Sequence, residues 1–201
     1  MTNNANNTRH ATRMAHKKAL IDAAIARNDK EQGLLLVLTG NGKGKSSSAF
    51  GMVARALGHG MKTGVCQFIK SRTDTGEEAF FSQHAQCEWH VLGDGFTWDT
   101  QDRTQDIATA ERGWAVAERM LSDPAYQLVV LDELTYLLSY HYLDADRVLD
   151  ALSNRPPMQH VIVTGRAAIE PLLELADTVT EMQDVKHAYR AGIKAQAGID
   201  L

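Results

Sequence analysis

Residues 33–58 read GLLLVLTGNGKGKSSSAFGMVARALG. The stretch opens on an apolar run over 34–39 and then passes Gly40, Gly42 and Gly44. It continues with Ala49, Phe50, Val53, Ala54 and Leu57 at helical spacing. Strand, glycine loop and helix in that order predict a phosphate-binding loop. Glycines let successive backbone N–H groups turn toward an anion with no Cβ in the way. The helix start adds unsatisfied N–H donors and the positive end of a dipole. Lys45 supplies a point charge for phosphate oxygens, and the Ser46 hydroxyl suits a magnesium ion. The usual pattern, G-x-x-x-x-G-K-[ST], would place its first glycine where this chain has Thr39. The loop here is Gly40-Asn41-Gly42-Lys43-Gly44-Lys45-Ser46, with a second lysine inside it. A plain glycine turn with incidental lysines does not explain why strand, loop, lysine, hydroxyl and helix all agree. The altered spacing implies that a bound nucleotide sits differently.

A second stretch supports the first. Residues 128–131 are a continuous apolar run that ends in Asp132-Glu133, the Walker B arrangement. A buried parallel strand would bring that carboxylate to the sheet edge that carries the phosphate loop.

The remaining chain alternates in the same way. Strands are predicted over 63–70, 87–92, 160–164 and 178–182, and helices over 104–121, 144–152 and 168–175. Such alternation predicts an α/β fold, a doubly wound, mostly parallel sheet with helices on both faces. The polar segment 71–78 and the glycine-marked segment 93–99, which holds Phe96 and Trp98, read as loops. His84, Cys87 and His90 have a metal-like spacing, but in a strand 84 and 90 face away from 87. Residues 185–201 have no clear period.

Residues 1–7 are polar and expected to be unstructured, and 8–32 are expected to be a helical arm. This divides the chain into an arm, 1–32, and an α/β domain, 33–201. The arm carries Arg9, Arg13, Lys17 and Lys18 with no acid among 8–21. It reads as a solvated helix, as a cover over an anionic ligand or a partner subunit, or as a transit peptide. Asp22, Asp29 and Glu31 argue against the last.

Composition bounds the function. A chain of 201 residues suits one domain with a proper core, and a net charge of −4 disfavours a general nucleic-acid binder. No apolar run approaches membrane-spanning length, and no signal peptide is visible. Cys66 and Cys87 lie in candidate strands and read as reduced, buried thiols of a cytoplasmic protein.

Five motifs, TGNGKGKSSSAFG, GFTWDTQ, VVLDELTY, VIVTGR and VKHAYRAGIKAQAGID, occur in one order from about Gly33 to the C-terminus. Together they resemble the ATP:corrinoid adenosyltransferases of the CobA/BtuR type. The resemblance implies a P-loop NTPase-like, RecA-like single domain. It implies transfer of the 5′-deoxyadenosyl group of ATP to the cobalt(I) of a corrinoid with release of triphosphate, in adenosylcobalamin synthesis or salvage. Cobalt(I) is then the nucleophile, so no nucleophilic side chain is required. By motif match, residues 40–46 hold the phosphates, Ser46 and Glu133 ligate Mg2+, and Asp132 stands behind them or substitutes. Arg55 and Arg166 are candidates to neutralise triphosphate charge. Phe96 and Trp98 are implied to wall off the lower face of the corrinoid. A homodimer and a flavin-type electron donor protein are the expected partners, and one reading of the arm has residues 8–32 close over the corrinoid from a partner subunit.

The chain departs from the family pattern at Thr73, where members carry tryptophan. It also departs at Ala167, Ile169 and Glu170, in place of a glycine and a histidine–arginine pair, and at Gln183-Asp184, in place of Arg-Pro. These changes bear on the corrinoid's identity or on a partner contact. Two other readings stay open on the residues: a phosphoryl-transfer ATPase or kinase, and a non-catalytic ATP-dependent binding module. Neither needs GFTWDTQ.

Overall fold

The computed structural model describes residues 2–69, 75–93 and 102–200. Thr73, Phe96 and Trp98 lie outside the described residues. The chain divides into two compact units, Met1–Gln32 and Gly33–Leu201.

The first unit is one helix, α1, Thr2–Ile25. It starts earlier and stops earlier than its sequence suggests. Once a helix is nucleated, each added residue gains one hydrogen bond for one residue fixed, so a polar, asparagine-rich start can still be helical. The end is tightened by Arg27 N–H donating to the Ala24 carbonyl and Asn28 N–H to that of Ile25. Asn28-Asp29, which favour turns over helix interiors, follow. Met14, Leu20, Ile21 and Ile25 are exposed large apolar side chains on it.

The second unit is a doubly wound α/β sheet. Its strands are β1 (Leu35–Thr39), β2 (Thr63–Gln67), β3 (Cys87–Val91), β4 (Leu128–Asp132), β5 (His160–Thr164) and β6 (Thr178–Glu181). The order is β3-β2-β4-β5-β1-β6, and every pairing among them is parallel. The helices are α2 (Lys45–Gly58), α3 (Gly76–Phe81), α4 (Arg103–Ser122), α5 (Leu134–Ser139), α6 (Ala145–Ser153) and α7 (Glu170–Leu175).

Strand alternation sorts the core into two layers. Leu38, Val65, Leu128, Val130 and Ile162 pack with Ala49, Phe50 and Val53 of α2 and Phe81 of α3. Leu35, Val37, Cys66, Val129, Leu131, Val161 and Val163 pack on the other face with Trp114, Ala117 and Met120 of α4 and with α5–α7. β2, β4 and most of β5 are buried on both faces, which explains the unbroken apolar runs of β4 and β5.

Because all strands run the same way, the ends of β1 and β4 meet at one sheet edge, separated only by β5. The chain leaves β1 toward β2 on one side of it and later returns through β4 and β5. Open α/β sheets place ligands at such a switch point, outside the carboxyl ends of the strands.

Candidate active site

The glycine loop joins β1 to α2. Gly40 and Gly44 have φ of 94° and 116°, and Gly44 caps α2. These values favour glycine strongly. Gly40 and Gly42 serve a second purpose that sequence reasoning missed. A Cβ on Gly40 would lie 2.5 Å from the Met182 carbonyl oxygen, and one on Gly42 2.6 Å from that of Gln183. The Gly42 N–H donates to the Met182 carbonyl at 2.6 Å. The loop is thus laid against the chain leaving β6.

Lys45 is not exposed with its loop. It is 7% exposed, and its Nζ donates to the Gly42 carbonyl at 2.8 Å. Burial lowers its pKa, Glu133 and Asp132 pull it up, and Arg166 pushes it down. Burial outweighs the two Walker B acids, so the ammonium is held below its usual range.

Behind the loop lies a buried polar network. Asp132, fully buried at the end of β4, accepts from Thr164 Oγ1 at 2.7 Å and from Gln67 Nε2 at 3.0 Å. Gln67 Oε1 accepts in turn from Trp89 Nε1 at 3.2 Å. The same Thr164 hydroxyl accepts the Glu133 N–H at 3.0 Å. Both oxygens of Asp132 therefore accept a hydrogen bond from protein, which fixes the carboxylate behind the loop. Glu133 is left-handed, φ 63°, a strained conformation for a non-glycine residue. Gly165 makes this corner possible, because a Cβ there would lie 2.0 Å from Thr135 Oγ1 and 3.3 Å from Glu133 Oε2.

The resulting cavity, about 260 Å³, is lined by the loop from Asn41 to Ser47 and by Glu133 and Arg166. The structure thus brings Asn41, Gly42, Lys43, Gly44, Lys45 and Ser46 together with Glu133 and Arg166. It does not bring Arg55. That residue lies in the last turn of α2, nine residues beyond Ser46 and so roughly 14 Å along the helix axis. Helical spacing gave Arg55 a face but not a distance.

Four further lining residues come from segments the sequence left without a role: Glu77 at the start of α3, and His187, Ile199 and Asp200 in the C-terminal segment. The only signal for the last three was their membership in the terminal motif. The segment contains a short 3-10 helix, Ala188–Ala191, and then a turn, so no single period runs through it.

A second, apolar groove of about 440 Å³ adjoins the first. Phe50, Ala54, Phe80 and Phe81 line it, and it shares Ser47, Glu77 and Ile199 with the loop cavity. Phe81 stacks on Trp89 with ring centroids 5.7 Å apart.

The family departures have separate settings. Ala167 sits at φ 49°, and Ile169 precedes α7 as its cap. Asp184 pairs with Arg190. His84, Cys87 and His90 do not form a metal centre. His90 Nε2 pairs with Glu88 Oε1 at 2.8 Å, the His84 ring contacts Phe80, and Cys87 is buried. Among the described residues no three histidine, cysteine or acidic side chains converge on a metal-sized site.

A parallel α/β sheet with a glycine loop at β1 and an acidic corner at β4 defines a P-loop nucleotide-binding protein. Residues 31–201 match the family model described as ATP:corrinoid adenosyltransferase BtuR/CobO/CobP, and the chain belongs to that family. It is 61% identical to a corrinoid adenosyltransferase of Pseudomonas aeruginosa over 96% of each chain. It is 48% identical to the corrinoid adenosyltransferase of Escherichia coli K12, covering 96% of this chain and 97% of that one. Corrinoid adenosyltransferase CobA of Salmonella typhimurium matches with the same figures. No helix among the described residues is long and apolar enough to cross a membrane.

Proposed function

We propose that the chain transfers the 5′-deoxyadenosyl group of ATP to the cobalt(I) of a corrinoid and releases triphosphate. One observation carries the site assignment: a variant phosphate loop with a buried lysine, facing Arg166 and Glu133 across one cavity, in a member of this family.

In the reaction, cobalt(I) attacks C5′ of the ribose. The C5′–O bond breaks, and its electron pair leaves with the triphosphate. No proton moves, so the protein needs no general base. Its work is to hold a polyanionic leaving group and stabilise the charge that grows on it. The N–H groups of residues 41–46, Lys45 and Arg166 are suited to that. Lys45 is prepared for it, since burial removes competing water and its hydrogen bond to Gly42 is exchangeable for a phosphate oxygen.

Mg2+ fits the donor set: the Ser46 hydroxyl and the Glu133 carboxylate are hard oxygen ligands lining the same cavity. When bound, it would neutralise charge on the departing triphosphate. Phe96 and Trp98 are assigned to the corrinoid's lower face on family resemblance. The proposal extends to a homodimer in which the arm, residues 8–32, closes over the corrinoid, to a flavin-type reductant, and to a cytoplasmic setting.

The test is incubation with ATP, magnesium and chemically reduced cobalamin. The expected outcome is inorganic triphosphate and a light-sensitive cobalt–carbon product in equal amounts. ADP and phosphate without alkylated cobalt would refute the proposal in favour of a phosphoryl-transfer enzyme.

A further inference from the structure

The cavity that is to receive a triphosphate already holds a carboxylate. Asp200 lines it and forms an ion pair with Lys43, the extra lysine of the variant loop. The carboxylate is built into a turn: Asp200 Oδ2 accepts the Gln196 N–H at 2.9 Å, and the Asp200 N–H donates to the Gln196 carbonyl at 2.8 Å. The hydrogen bond from Lys43, then that from the Gln196 backbone, holds the Asp200 carboxyl below its usual range. Next to it, Ile199 lines both the anion cavity and the apolar groove.

We infer that Asp200 is a resident competitor for the phosphate site, bound to Lys43 until a polyphosphate displaces it. This rests on the phosphate-site reading above. The physical argument is charge. Lys43 cannot give its full interaction to a phosphate oxygen while paired to Asp200, and a carboxylate beside a polyanion is repelled. The pair is exposed enough for exchange, with side chains 49% and 24% accessible. An exposed pair of this kind is worth little by itself, so a multiply charged ligand can outbid it. Because Ile199 moves with Asp200, filling the phosphate cavity also reshapes the apolar groove. The same competition acts on the product: Asp200 returning to Lys43 lowers the affinity for released triphosphate and hastens its departure.

The experiment measures binding of inorganic tripolyphosphate by calorimetry to the full chain and to Asp200→Asn, Lys43→Ala, the double variant and Lys45→Ala. Asp200→Asn is expected to bind about 3- to 10-fold tighter, through slower dissociation. The gain should shrink when Lys43 is already alanine, because the competitor then has nothing to hold. In the wild-type chain, tripolyphosphate should speed hydrogen exchange at the Gln196 and Asp200 amides. If tripolyphosphate binds and depends on Lys45, yet Asp200→Asn binds equally or more weakly, the competitor is refuted and the phosphate site stands. Unchanged exchange at those amides refutes displacement in the same way. If the wild-type chain binds no tripolyphosphate and Lys45→Ala changes nothing, both readings fall.

Discussion

Thr164→Val isolates the network that supports the acidic corner. Valine keeps the shape of threonine and removes only the hydroxyl. That hydroxyl is fully buried and makes two bonds, 2.7 Å to Asp132 Oδ1 and 3.0 Å from the Glu133 N–H. Losing a donor to a buried carboxylate costs about 1.5–3 kcal/mol, and orphaning a buried N–H costs about 1–3 kcal/mol. Valine recovers roughly 1 kcal/mol, because it has no hydroxyl to desolvate. The net loss is about 3 kcal/mol, or roughly 6–12 °C in Tm for a chain of this size. Urea unfolding should show a lower midpoint with an unchanged m-value. Thr164→Ser keeps both bonds and forfeits one methyl, about 1 kcal/mol. A valine variant no less stable than the serine variant would refute the reasoning, since the hydroxyl would then contribute nothing.

Three further outcomes are expected. Glu133→Gln should raise the magnesium concentration needed for half-maximal triphosphate release, because an amide is a poorer ligand for a hard cation; an unchanged titration removes Glu133 from the metal. Ala167→Gly should stabilise by about 0.5 kcal/mol, since φ 49° strains alanine and not glycine, and a lower urea midpoint would contradict this. For Glu88, burial raises the carboxyl, but hydrogen bonds from Tyr126, His90 and Arg119, with the Arg119 charge, bring it from 4.5 to about 2. A depressed carboxyl stabilises the fold above the unfolded value and loses that contribution as pH falls to the folded one. The stability difference between wild type and Glu88→Gln should therefore shrink between pH 4.5 and about 2, and a difference constant across that window would exclude the assignment.

The sequence alone determined the repeating order of strand and helix, the parallel sheet, the phosphate loop and the Walker B corner. These depend on short-range chemistry: glycines beside a lysine, apolar runs of strand length, and an acid at the end of one. Parallel strands then force Lys45 and Glu133 to one edge, so their meeting was legible before any coordinate. The extent of α1 was not legible, because helix ends depend on cooperative extension more than on the residues at the boundary. Nor was the burial of Lys45, whose local sequence is polar and whose cover comes from elsewhere in the fold. Only the tertiary structure set Arg55 apart from the loop and engaged Asp132 through Gln67 and Thr164 from two other strands. Only it pressed Gly40 and Gly42 against Met182 and Gln183, and brought Asp200 to Lys43 from 157 residues away. Contacts between distant segments leave no period in the chain, so they become visible only when the sheet has brought the segments together.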